Sequence, residues 1–181
     1  MDRIIDIMDI VKKRRSIRVY KNKSLSKDTI DSILEAAKYA PSARNLQQLE
    51  YKVITNRNLI QKISDRIVDL IKKRNPNIQL RAGDDAIFYG APLLIIINGP
   101  KENEWISYDA AIAVQNIMLY ATSIGIGTCF IGMSRFINED EELLNELHIA
   151  DDKKVAAAVI CGYADEKPPE KEKKMNAEFF H

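Results

Sequence analysis

A dense cationic segment lies near the N-terminus, where Arg14, Arg15, Ser16 and Arg18 fall within five consecutive positions. Guanidinium groups bind phosphate oxygens through bidentate hydrogen bonds, and a serine hydroxyl adds a further hydrogen-bond donor. A phosphomonoester carries close to two negative charges at neutral pH, so such a segment would suit it. Taken alone, however, the segment is better explained as a solvated basic helix end, which the helix dipole favours, because such charge clusters are common.

The same basic run, from Lys12 to Arg18, could instead bind nucleic acid or serve as a localisation signal. Either role would gain from a positive overall field, whereas the formal net charge is only +1. We therefore expect no nucleic-acid partner and no attraction to an anionic membrane. The longest apolar run, 91–98, is also too short to span a bilayer.

A second polar segment follows an apolar helical stripe and contains Pro41, Ser42 and Asn45. It offers a hydroxyl and an amide in a short space, which could contact a ligand. Serine and asparagine also favour turns through local hydrogen bonds, so by itself this segment is equally consistent with an ordinary loop.

The remaining chemistry-bearing residue types are sparse. Cys129 and Cys161 lie far apart without a CxxC pair, and His148 and His181 are the only histidines. We therefore expect no metal site, no disulfide framework and no catalytic triad. Cys129 is expected to be a buried, unreactive thiol because its neighbours are apolar. The absence of a hydrophobic leader pattern and of a disulfide framework favours the cytoplasm.

The elements that must position these residues follow from hydrophobic periodicity and from breaker residues. Ser26 is predicted to cap a helix that Pro41 stops, and Gly125 is predicted to end another. The predicted helices carry the stripes Ile4–Val11 (with Asp2 as cap), Ile30–Ala37, Ile60–Ile71, Ser107–Ile124 and Leu143–Leu147. The predicted strands are Tyr51–Thr55, Leu93–Ile97, Thr128–Ile131 and Val155–Ile160. The pattern in 75–90 leaves the conformation open.

Helices therefore alternate with apolar strands, which predicts an α+β fold with a central mixed β-sheet sandwiched by helices. A length of 181 residues with 46% hydrophobic content predicts a single folded domain, 1–181. From about residue 165 the chain becomes polar and charged, which is typical of an extended C-terminal arm.

Taken together, in order and at their spacing, these segments resemble the nitroreductase family over nearly the whole chain. The resembling stretches are 14–18, 33–45, 109–116, 125–132, 160–163 and 167–169. Two departures from the family pattern stand out. Gln48 and Leu49 occupy the places of a common Pro-Trp pair, and Lys173 replaces a common arginine.

The resemblance implies a nitroreductase-like FMN fold that forms an intertwined homodimer, with the flavin at the interface. Family members pass electrons from NADH or NADPH through bound FMN to nitro compounds, quinones or similar small acceptors. The chemistry then belongs to the flavin, so no catalytic side chain is implied. The arm 165–181 would pack on the partner subunit.

The resemblance also assigns roles to the cationic segment. Arg14 and Ser16 match positions that hold the FMN phosphate and ribityl chain, and Arg15 between them would share that task. Lys173 matches another phosphate-binding position, with the charge of the usual arginine but without its two-pronged geometry. Arg18 matches a position near the pyrimidine edge, where a cation would stabilise negative charge.

Two further groups are carried over in the same way. Pro41, Ser42 and Asn45 match a loop that reaches the flavin held mainly by the other subunit. Ile131 and Gly132 match a backbone stretch beside the flavin N5 atom. An FMN-binding carrier or sensor without NAD(P)H oxidase activity remains an alternative. The resemblance leaves open the acceptor and the choice between NADH, NADPH and a ferredoxin-like donor.

Overall fold

The computed structural model describes residues 6–81, 83 and 85–180. The helices are α1 (Ile7–Lys13), α2 (Lys27–Lys38), α3 (Arg57–Arg74), α4 (Ile106–Ser123) and α5 (Glu141–Glu146). The strands are β1 (Glu50–Ile54), β2 (Leu93–Pro100), β3 (Gly127–Phe130) and β4 (Lys153–Gly162). Short 3-10 helices cover Ala43–Asn45 and Gly132–Glu139.

The four strands form one sheet in the order β1-β2-β4-β3, and all three neighbouring pairs are antiparallel. The α+β class is confirmed. The parallel component of the predicted mixed sheet is limited, among the described residues, to an isolated bridge between Ser16 and Thr128. Long apolar strands are often parallel, but here helical cover on both faces accounts for their composition.

The sheet separates two hydrophobic cores because successive side chains of a strand point to opposite faces. Leu93, Ile95 and Ile97 of β2 face a core that includes residues of α2 and α4. Leu94 and Ile96 face the other core, which includes residues of α3 and of the 3-10 helix Gly132–Glu139. All five side chains are fully buried, which fixes the register of the central strand.

Local sequence signals set most helix ends. Ser26 caps α2 by accepting a hydrogen bond from Thr29 N, as predicted, and Gly125 follows α4 with φ +77°. Asp6 caps α1, whereas the predicted cap Asp2 lies outside the described residues. No residue of α1 is buried, although the sequence predicts an amphipathic helix.

The cationic segment is held against the sheet. Ile17 N donates to Thr128 O of β3 at 2.9 Å, and Asp165 N donates to Val19 O at 2.9 Å. Gly127 allows this close approach, because a Cβ there would lie 2.9 Å from the Ile17 side chain. The segment therefore lies between β3 and the start of the C-terminal tail.

The segment after α3, which the sequence pattern leaves open, turns around Asp85. Its Oδ1 accepts from Phe88 N at 2.7 Å and from Ser64 Oγ of α3 at 2.7 Å, and Oδ2 accepts from Gly90 N at 3.1 Å. The described part of 75–90 consists of turns rather than a regular helix. Among the described residues, no helix is both long and apolar enough to cross a membrane.

Candidate functional site

A cleft of about 450 Å³ collects the cationic residues that the sequence singles out. Arg14, Arg15, Ser16, Arg18 and Lys173 all line it. The rest of its lining consists of Arg81, Glu166, Pro168, Pro169 and Lys171. Six of these ten residues are cationic and one is acidic, so the cleft can hold an anion with more than one negative charge.

Arg14 and Arg15, which both line this cleft, differ in their contacts within the protein. Arg14 ends α1, where its backbone N–H donates to Ile10 O at 3.0 Å. The guanidinium of Arg15 turns back onto the backbone oxygens of Lys12 and Arg14 and lies 3.5 Å from Glu170. Arg15 is therefore engaged with the protein, while Arg14 presents its side chain to the cleft.

A second cleft, of about 330 Å³, adjoins the first and shares Arg18 with it. Ile131 and Gly132 line this second cleft, as does Tyr89. The Ile131 amide donates to Ala158 O at 2.9 Å, which leaves the Gly132 amide as the candidate donor to a ligand. The remaining lining residues are Ile87, Cys129, Phe130, Met133 and Arg135.

Cys129 lies in the wall of this second cleft. Burial raises the pKa of its thiol, whereas Arg18, Ser16 and Arg14 act in the opposite direction. The predicted burial of Cys129 is confirmed, and desolvation is the largest influence on the pKa of its thiol. Its low reactivity stays a prediction. Sequence neighbours alone do not reveal the cations, because these reach Cys129 from the N-terminal segment.

Pro41 and Ser42 line a third cleft, of about 350 Å³, which shares no lining residue with the other two. Asn45 lies on the exposed 3-10 turn beside it and accepts from Gln47 Nε2 at 3.1 Å. Within one chain, therefore, the structure does not bring these three residues together with the cationic segment.

A buried carboxylate anchors this loop. Asp109, in the first turn of α4, is only 3% exposed, and its Oδ1 accepts from Ala43 N at 3.0 Å. Its Oδ2 is buried without a partner among the described residues. Arg44, Asn45 and Gln47 hold positive φ angles of 52°, 55° and 52°, so the anchor restrains a strained backbone.

Sequence reasoning missed Arg81 and Tyr89. Arg81 reaches the first cleft from the segment after α3, and its guanidinium carbon lies 5.3 Å from the centre of the Tyr89 ring. The Arg18 guanidinium lies 6.0 Å from the same ring. An isolated arginine in a segment without clear periodicity gives no signal that it will join a site.

The described residues contain no group of three or more histidine, cysteine, aspartate or glutamate side chains that could hold a metal ion. The site thus consists of a cationic cleft, an adjoining cleft with largely apolar walls, and a separate loop. Ligand sites of roughly 300–1,000 Å³ are usual for small molecules, so either cleft is large enough for part of one.

Comparison with known proteins gives a consistent result. Residues 11–163 match the model of a family described as the Nitroreductase family. A nitrobenzene nitroreductase from Ectopseudomonas oleovorans is 27% identical, and the alignment covers 96% of this chain and 95% of that protein.

Solved structures agree with this match. A nitroreductase with bound FMN from Bacteroides fragilis is 27% identical, with a TM-score of 0.83 and coverage of 97% of each chain. An FMN-dependent nitroreductase from Clostridium difficile is 29% identical, with a TM-score of 0.76 and coverage of 96% of this chain and 99% of that one.

Proposed function

Because the chain belongs to the nitroreductase family, we propose that it is an FMN-dependent oxidoreductase. It takes electrons from NADH or NADPH and passes them to nitro compounds, quinones or similar small acceptors. The observation that carries this proposal is the junction of the two clefts at Arg18, where a cationic cleft meets one with apolar walls. FMN has the matching shape, with a phosphate at one end and a flat aromatic ring at the other.

The donor set of the first cleft fits the phosphate end. Arg14, Lys173 and the Ser16 hydroxyl supply charge-assisted and neutral hydrogen bonds from a half-enclosed surface. The second cleft fits the ring end, because Ile131 and Phe130 supply apolar walls and the Gly132 amide supplies a donor. When bound, FMN supplies the redox chemistry that no side chain here can perform.

The residues of the chain then have distinct tasks. Arg14, Ser16 and Lys173 hold the phosphate, and Arg15 helps by fixing the tail through Glu170. Arg18 places a positive charge at the junction of the clefts, where it would stabilise negative charge on a ring. The Gly132 amide orients the ring edge at which hydride is exchanged.

We further propose that 1–181 is one domain that forms an intertwined homodimer. Pro41, Ser42 and Asn45 would then complete the flavin site of the partner, which agrees with their separation from the cationic cleft in one chain. The arm 165–181 would pack on the partner. Exposed apolar side chains in α1, α4 and the arm support this, namely Ile7, Met8, Val11, Tyr108, Ile112, Tyr120, Met175, Phe179 and Phe180.

A cytoplasmic location is part of the same proposal. Cys129 and Cys161 are both free and buried. They lie on the neighbouring strands β3 and β4 but belong to the two opposite cores, so their side chains are separated by the sheet. A reducing compartment suits such thiols.

An absorbance spectrum of the purified protein tests the proposed function. We expect flavin absorbance, either as purified or after FMN is added, and anaerobic NADH or NADPH should bleach it. A protein that takes up no FMN would contradict the proposal. A protein that binds FMN but is not bleached by either donor would instead be a flavin carrier or sensor.

A further inference from the structure

We propose that Arg81, at the junction of the two clefts, forms a second anion subsite, separate from the flavin phosphate site, which receives a phosphate group of the nicotinamide donor. The inference rests on the proposed function, since it concerns the second ligand of the same site. It assigns a task to a residue that neither motif nor resemblance singles out.

The first cleft holds more positive charge than one phosphate group needs. Arg15 is paired with Glu170, and the Arg18 backbone N–H donates to the Glu166 carboxylate. Five cations of the lining have no ion pair among the described residues, namely Arg14, Arg18, Arg81, Lys171 and Lys173. A phosphomonoester carries at most about two negative charges. The cleft therefore has positive charge left for a second anionic group.

Arg81 and Arg18 both lie near the ring of Tyr89. Tyr89 has one guanidinium near its ring at 6.0 Å, from Arg18, and another at 5.3 Å, from Arg81. Tyr89 lines the second cleft and Arg81 lines the first, so Arg81 lies where the two clefts meet. A donor whose nicotinamide ring approaches the second cleft would bring its phosphates near this point.

Arg81 is more exposed than two of the proposed cofactor contacts. Arg14 and Ser16 are half-buried, as suits contacts to a resident cofactor, whereas Arg81 is exposed. An exposed guanidinium can bind and release a ligand that exchanges in each catalytic cycle. Arg81 is also placed beside a well-supported residue, because Tyr89 N donates to Asp85 O at 3.1 Å and Asp85 binds Ser64 of α3.

Two phosphate groups of the donor share this chemistry. The 2′-phosphate is present in NADPH only, whereas the pyrophosphate is common to NADH and NADPH. Guanidinium binds either one through paired hydrogen bonds. The experiment below distinguishes the two sources.

The test compares Arg81→Ala with two control variants. Arg14→Ala is the positive control for loss of a flavin phosphate contact. Lys72→Ala removes one exposed positive charge from the last turn of α3, away from both clefts. FMN affinity is measured by titrating each apo-protein. Binding of adenosine 2′,5′-bisphosphate and of ADP to the FMN-loaded protein is measured by calorimetry.

Kinetics supply an independent readout. Values of kcat/KM are measured with NADPH, with NADH and with N-benzyl dihydronicotinamide, a hydride donor that carries no phosphate. We expect Arg81→Ala to leave FMN affinity and kcat/KM with the benzyl donor unchanged. The same variant should lower adenosine phosphate binding and kcat/KM with the nicotinamide nucleotides roughly tenfold. The loss should shrink at high salt. An effect confined to NADPH and the bisphosphate identifies the 2′-phosphate, and equal effects on ADP and both nucleotides identify the pyrophosphate.

Three outcomes would overturn the inference. Arg81→Ala could lower FMN affinity as much as Arg14→Ala, which would make Arg81 a cofactor contact. It could slow the benzyl donor as much as NADPH, or it could match Lys72→Ala in every assay. Failure of the proposed function is read separately, on the wild-type protein, as absent FMN uptake or absent bleaching. If FMN is taken up but not bleached, the adenosine phosphate titrations on the FMN-loaded protein still decide whether Arg81 binds phosphate.

Discussion

At the residue scale, the buried carboxylate of Asp109 anchors the loop that contains Ser42 and Asn45. One oxygen accepts the Ala43 amide at 3.0 Å and the other has no partner among the described residues. A buried carboxylate is costly unless it is hydrogen-bonded, and here its bond restrains a turn that contains three positive-φ residues. Asp109 therefore acts on the loop of Ser42 and Asn45 through the backbone.

We expect Asp109→Ala to lower the free energy of unfolding by about 1–3 kcal/mol, because it leaves a backbone donor without its acceptor. Hydrogen exchange at the Ala43 amide should accelerate in the same variant. Asp109→Asn keeps one acceptor oxygen and should preserve most of that protection. If the Asn variant exchanged as fast as the Ala variant, the negative charge rather than the hydrogen bond would be what holds the loop.

The buried thiol of Cys161 predicts that the protein loses stability at alkaline pH. Complete burial raises the pKa of its thiol to about 12. The thiol of the unfolded chain ionises near pH 9, so the unfolded state loses its proton first as the pH rises. This contribution to stability is complete below about pH 9 and is lost progressively between about pH 9 and 12.

Urea unfolding at several pH values measures the effect. The slope from this one proton approaches about 1.4 kcal/mol per pH unit in that window. Tyr20 and Tyr51 also have pKa values raised by burial, so they add to the wild-type slope. Cys161→Ala should have a shallower slope by one proton. An unchanged slope in that variant would show that the thiol ionises alike in both states.

At the element scale, the site depends on how the cationic segment docks on β3. Ile17 is buried and packs over Gly127, and its amide bonds to Thr128 O at 2.9 Å. Arg14, Ser16 and Arg18 flank this anchor, so a shift of the segment would move all three. The sheet edge thus sets the position of these three residues of the proposed flavin site.

Gly127, at the start of β3, and Gly125, in the turn before it, distinguish a displaced cationic segment from a general loss of stability. Gly127→Ala would place a Cβ 2.9 Å from Ile17, so we expect FMN affinity to fall about tenfold or more as the arginines are displaced. Gly125→Ala meets nothing within 4 Å but must adopt φ +77°. It should cost about 1 kcal/mol of stability and leave FMN affinity unchanged. Equal affinity losses in the two variants would contradict the docking argument.

At the scale of the whole molecule, exposed apolar surface supports the proposed homodimer. Ile7 is 76% exposed and Met8 is 54% exposed on α1, which contacts α4, where Ile112 is 40% exposed. An apolar helix face in water is unfavourable unless another surface covers it. The separation of the Ser42 loop from the cationic cleft fits the same conclusion.

We expect the protein to sediment as a dimer of about twice 20.6 kDa. Ile112→Glu should shift it toward the monomer, because the interface would have to bury an unpaired charge. FMN affinity should fall in parallel if the partner supplies Ser42 and Asn45. Lys72→Glu, on α3, should change neither property. A monomeric wild type with full FMN affinity would contradict the dimeric site.

The sequence by itself determined most of the helices and strands and the family, and it suggested most of the residues of the candidate site. Caps and breakers such as Ser26, Pro41 and Gly125 act within a few residues, and helix and strand periodicities are equally local. The cationic cluster is also local, since Arg14, Ser16 and Arg18 are close in the chain. For these features the nearest neighbours in sequence are the nearest neighbours in space.

Only the tertiary structure decided which distant groups meet. Antiparallel pairing, the approach of Arg81 and Tyr89 to the cationic cleft, and the Asp109 anchor of the loop depend on contacts between residues far apart in sequence. Such contacts are selected by packing over the whole sheet, so no local pattern encodes them. For this reason the sequence could suggest an anion site at the cationic segment, whereas the approach of Arg81 to that segment is visible only in the fold.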